Sequence, residues 1–92
     1  MYREEFKTIC RSIYPCCYFE EYEDSCSILT PILLGSIMTA DFDKTGEVVK
    51  LTNDYPKGRY KVKITEENII KQIKWHIGNY NMYHLMENTY NR

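Results

Sequence analysis

Arg59-Tyr60-Lys61-Val62-Lys63-Ile64-Thr65-Glu66-Glu67-Asn68-Ile69-Ile70-Lys71-Gln72-Ile73 holds two hydropathy periods back to back. Over 59–64 apolar and basic residues alternate, so Tyr60, Val62 and Ile64 point to one side and Arg59, Lys61 and Lys63 to the other. From Thr65 onward the apolar positions change to helical spacing, with Ile69, Ile70, Ile73, Ile77 and Tyr80 on one stripe. Thr65 suits a helix N-cap, and Glu66 and Glu67 suit the positive end of a helix dipole. A half-buried strand that turns straight into an amphipathic helix points to an α+β fold.

Two more strands are expected upstream, Leu33–Phe42 and Glu47–Thr52. The gaps between strands, Asp43-Lys44-Thr45-Gly46 and Asn53-Asp54-Tyr55-Pro56-Lys57-Gly58, carry hairpin chemistry: Gly for positive φ, Asp or Asn for Asx-turns. This predicts a three-stranded antiparallel meander. Before it, residues 2–14 place Tyr2, Phe6, Ile9, Cys10 and Ile13 at helical spacing, with Arg3, Glu4, Lys7 and Arg11 opposite. Pro15 ends that helix. It also suits the first position of a short second helix carrying Cys16, Cys17, Phe19 and Tyr22. Gly78-Asn79 reads as a helix stop, with a further helical turn or two over Tyr80–Tyr90. The chain is thus expected to be one α+β domain over 1–92. It would have an N-terminal helix, a short second helix, the meander, and one or two C-terminal helices packed on one sheet face.

The composition narrows the function. At 92 residues there is room for one core, and 43 % hydrophobic with 27 % charged residues is ordinary for a folded domain. The net charge of −1 argues against a generic basic nucleic-acid binder, but it is unevenly spread. Residues 1–47 hold four basic and nine acidic groups, and residues 48–92 hold eight basic and four acidic ones. A bipolar chain offers two electrostatic surfaces and allows a homodimer in which they meet. The longest apolar stretch, Ile28 to Ala40, contains Pro31 and Gly35 and falls short of the ~20 residues that cross a bilayer. No apolar export segment follows the acidic start, so a cytoplasmic protein is expected.

Ile, Tyr, Lys and Asn supply 33 of the 92 residues, against a single alanine, Ala40. These residues have AT-rich codons, which suits a low-GC bacterium, its phage, or a virus.

Ala40-Asp41-Phe42-Asp43-Lys44-Thr45 contains D-x-D-x-T, which resembles the first motif of haloacid-dehalogenase-type phosphatases. That likeness implies Asp41 as nucleophile and Asp43 as general acid/base beside Mg²⁺. The family's later motifs do not follow, and the chain is too short for its doubly wound sheet. The same stretch is similar to the first half of an EF-hand loop, but Thr52 stands where a bidentate Glu belongs. A tight hairpin shaped by Asp43 and Gly46 accounts for both. Cys10, Cys16, Cys17 and Cys26, with His76 and His84, lack the close ligand pairs of a zinc site and read as small apolar side chains. No catalytic set emerges, so neither enzyme activity nor a metal or cofactor is expected.

Two surfaces remain. Tyr18, Glu20, Glu21, Tyr22, Glu23 and Asp24 combine tyrosine with acid, a composition of protein-binding patches. The nine tyrosines exceed what such a core can hide, and Tyr80, Tyr83 and Tyr90 form a second group. Lys57, Arg59, Lys61 and Lys63, extended by Lys71 and Lys74 and flanked by Tyr55, Tyr60 and Trp75, could track a phosphate backbone. Helix–three strands–helix is the order of double-stranded-RNA-binding domains, although Glu66-Glu67 occupies the place of that family's basic helix start. In size and build the chain resembles several anti-CRISPR proteins. The expected function is a small phage- or virus-encoded inhibitor that binds a host defence protein, such as a CRISPR or nuclease component, or its complex with nucleic acid. The alternative is an RNA- or DNA-binding module using 57–63.

Overall fold

The structure is a computed structural model that describes residues 1–29, 36–54 and 59–90, with side chains as far as residue 78. The elements are α1 (Arg3–Ile13), β1 (Tyr18–Glu21), β2 (Ser25–Leu29), β3 (Ser36–Phe42), β4 (Val48–Asn53), β5 (Tyr60–Val62) and α2 (Glu66–Tyr90). The five strands form one antiparallel meander in sequential order, so β1 and β5 are its edges. The α+β class agrees with the sequence reading, but the expected three strands are five.

The correction lies at the second helix. Residues 18–29 form the β1–β2 hairpin, with Tyr18 opposite Leu29 and Glu21 opposite Cys26. In that register Cys26 and Ile28 are fully buried, while Ser25, Ser27 and Leu29 are only partly so. This is a period of two, which the Cys- and Glu-rich composition hides. Of the one or two C-terminal helices expected there is one, α2, of 25 residues; the expected stop at Gly78-Asn79 does not occur, and Gly78 sits within the helix as an exposed residue. Glycine without another breaker costs a helix only ~1 kcal/mol, too little to end one of this length. β5 is shorter than expected, because Lys63 leaves the ladder and its carbonyl accepts from Thr65 N and Asn68 Nδ2. Thr65 caps α2 as the sequence suggests, its hydroxyl accepting from Asn68 N at 3.1 Å.

The register fixes which side chains share a face. Glu21, Cys26, Ala40, Leu51 and Val62 form one cross-strand row. Phe19, Ile28, Met38, Asn53 and Tyr60 form the next row on the same side. From this side Cys26, Ile28, Met38, Ala40 and Leu51 join Phe6, Ile9 and Cys10 of α1 and Ile69 and Ile73 of α2 in one core. The two helices pack against each other. A bulge between Asp41 and Phe42 pairs Phe42 with Val48 and leaves Val49 exposed, which keeps both buried residues inward. The other side carries the row Glu20, Ser27, Thr39, Thr52 and Lys61. Tyr60, expected inward, is 46 % exposed at the sheet edge.

The turn from Asp43 to Glu47 is the expected hairpin. Asp43 Oδ1 accepts from Thr45 N, Thr45 Oγ1 and Glu47 N, and Gly46 takes φ +89°. The Thr45 hydroxyl, helped by these amides, holds the Asp43 carboxyl below the usual carboxylate range. Tyr2 bridges to Glu47 and the Met1 carbonyl accepts from Val48 N, tying the chain start to this turn.

Candidate interaction surface

β1 meets α1 through charge as well as packing. Arg3, Lys7 and Arg11 recur every fourth residue and so form one stripe along α1. Its polar residues suggest a solvated stripe, yet Arg3 is partly buried and Lys7 buried, and only Arg11 is exposed. Lys7 is buried at 8 % exposure and pairs with Glu21 at 3.0 Å and Glu4 at 3.8 Å. Arg3 lies 3.8 Å from Glu21, and its guanidinium stands 4.5 Å from the Phe42 ring centroid. Lys7 and Arg11 stand over Phe19 at 5.5 and 5.1 Å. Long basic side chains here lay their stems over apolar surface while their heads reach acid and ring faces.

Arg3 also holds the hairpin tip. It donates to the Glu23 carbonyl at 2.7 Å and to the Ser25 carbonyl at 3.4 Å. Tyr22 N donates to the Ser25 carbonyl, and Phe42 N to the Asp24 carbonyl. The backbone of 22–25 is therefore fixed while its side chains face outward. Tyr18 and Tyr22 are half exposed, and Glu20, Glu23 and Asp24 are exposed. The Tyr22 hydroxyl donates to Glu20, and that bond keeps the phenol protonated beyond its usual range. Glu23 and Asp24 make no side-chain ion pair among the described residues. All six residues of the acidic patch are exposed, and Glu21, 42 % exposed at its side chain, differs in also pairing with Lys7 and Arg3 of α1.

The basic candidates do not form one stripe. Arg59 donates through Nε to Asp54 Oδ1 at 2.9 Å. Asp54, only 8 % exposed at its side chain, also accepts from the Ser36 and Thr39 hydroxyls, and Thr39 bonds Ser27 in turn. Lys61 and Lys63 are exposed. Lys71 and Lys74 lie on α2 in a shallow groove with Ile70 and Trp75, which Glu66 and Glu67 also line. Lys57, Tyr55 and the side chains of Tyr80, Tyr83, Tyr90 and His84 lie outside the described residues.

Four of the five described tyrosines, Tyr2, Tyr18, Tyr22 and Tyr60, are exposed. The cysteines are free thiols. Burial pushes Cys26 up to about 11 and raises Cys10 well above the usual thiol range, so neither is an activated nucleophile at neutral pH. Among the described residues no group of three His, Cys, Asp or Glu could hold a metal ion. No described helix is long and apolar enough to cross a membrane.

Sequence reasoning missed the α1 clamp and the Asp54 network. The four-residue spacing of Arg3, Lys7 and Arg11 was a usable signal for the first. The second depends on strand register and left none. Set against known protein families, curated proteins and solved structures, the chain matches none of them.

Proposed function

We propose that this chain is a small binding protein that works by covering a basic surface of another macromolecule with its β1–β2 hairpin. The contact residues are Tyr18, Glu20, Tyr22, Glu23 and Asp24. In the fuller form of the proposal it is a phage- or virus-encoded inhibitor, and the covered surface belongs to a host defence protein that normally holds nucleic acid. The observation that carries the reading is the division of labour at this hairpin. Arg3 and Lys7 hold Glu21 and the tip backbone from behind, and two tyrosines and three acids are left facing outward on a fixed frame. Preorganised Tyr beside charge lowers the entropy cost of binding.

The test is affinity capture of a partner from host extract, repeated with Glu20→Lys, Glu23→Lys and Asp24→Lys combined. Glu21 is spared because it belongs to the α1 contact. Capture should fall at least ~10-fold, since each desolvated charge contact that is reversed typically costs more than 1 kcal/mol. Capture unchanged by the reversal rejects the proposal. A salt-sensitive gel shift of generic RNA or DNA, lost on Lys61→Glu and Lys63→Glu, would support the nucleic-acid alternative.

A further inference from the structure

We infer that copies of this chain associate head to tail, the β1 edge of one pairing with the β5 edge of the next as parallel strands. The inference goes beyond the proposed function and rests on both edges of the sheet. Among the described residues β1 and β5 each have a strand on one side only. The bond from Tyr22 N to the Ser25 carbonyl fixes which β1 groups face β2. By antiparallel alternation, Glu20 directs its backbone toward β2, and Phe19 and Glu21 direct theirs away from the sheet.

Charge selects the pairing. Edge strands commonly carry charges that repel a second copy. Pairing β1 with β1 sets Glu20, Glu23 and Asp24 against themselves, and pairing β5 with β5 does the same to Lys61 and Lys63. The two edges carry opposite signs, however, so the repulsion bars only these symmetric pairings. The register adds a geometric reason. A single cross-strand row runs from Glu20 on β1 through Ser27, Thr39 and Thr52 to Lys61 on β5. A copy advanced along that row brings its Glu20 beside Lys61.

β1 and β5 run in the same direction in a five-stranded antiparallel meander, so the new pair is parallel and both copies keep their helices on the same side. The contact is heterologous and continues from copy to copy unless it closes into a ring. With edges of four and three residues, the association is weak and reversible.

The experiment is sedimentation of the full chain over a range of concentrations. Mass should rise above the monomer at about 0.01 M salt, where the Debye length is ~30 Å, and association should weaken roughly tenfold at about 1 M, where it is ~3 Å. E20K/E23K makes both edges basic, and K61E/K63E makes both acidic. Each variant alone, shown to be folded by circular dichroism, should be monomeric, and their equimolar mixture should associate again. Amide exchange at Phe19 and Glu21 should slow on association, while Glu20, already paired within the sheet, should not change. A monomer at every concentration, a mixture that stays monomeric, or a closed dimer that survives K61E/K63E overturns the inference. K61E/K63E leaves the hairpin tip intact, so partner capture by that variant reads the proposed function separately.

Discussion

The two edges of the sheet carry opposite charge, yet each handles it in the same way. At the β1 edge Glu21 is drawn inward to Lys7 and Arg3, while Glu20, Glu23 and Asp24 stay outside. At the β5 edge Arg59 is tied to the nearly buried Asp54, while Lys61 and Lys63 stay outside. One charge at each end thus pairs within the fold, and the others named here are exposed. Face parity and register decide which is which. A residue's charge alone does not reveal its role.

The largest expected effect tests what supports the acidic end. Phe42→Ala removes a buried ring and the platform under Arg3, and should cost about 3–4 kcal/mol in denaturant unfolding. Next, the two kinds of charge at β1 should separate cleanly. Lys7→Ala strips a buried stem from Phe19 and leaves Glu21 with only the longer Arg3 contact, a loss of about 2 kcal/mol. Glu20→Ala, on the outward side, should stay within about 0.5 kcal/mol. A similar loss for both would erase the distinction drawn above.

At the basic end Asp54→Ala deprives two hydroxyls and Arg59 of their acceptor, and should cost about 1–2 kcal/mol. Lys61→Ala should be close to neutral in the same assay.

The smallest effects are read by pH, at groups that belong to neither edge. Burial holds His76 below the ordinary imidazole range. The unfolded chain therefore takes up that proton first, and the stability that neutral His76 contributes, complete above ~6.5, declines as pH falls below it. Asp43 has the same sign at lower pH. The stability from its hydrogen-bonded carboxylate is present above ~3.9 and is lost as pH drops through its lowered folded value. Thermal melts from pH 8 to pH 2 should show both declines, and Asp43→Asn should remove only the second.

Much of this is legible in the sequence. The switch of period at Thr65 gave β5 and α2, the spacing of Phe6, Ile9 and Cys10 gave α1, and Asp43 with Gly46 gave the turn between β3 and β4. The β1–β2 hairpin was not legible. Its helix-facing positions are Phe19, Glu21, Cys26 and Ile28, of which only Cys26 and Ile28 are fully buried, so a glutamate and a cysteine occupy positions where alternation is normally recognised by aliphatic residues. The acidic patch was found by composition, but that Glu21 differs from its neighbours was not.

Local chemistry therefore settled which segments bend, which begin or end a helix, and where charge is concentrated, because each depends on residues a few positions apart. Only the assembled sheet decided which of those charges face the helices and which face outward. Alternation along a strand turns neighbouring residues to opposite sides, and the side that is buried depends on strands and helices distant in the chain.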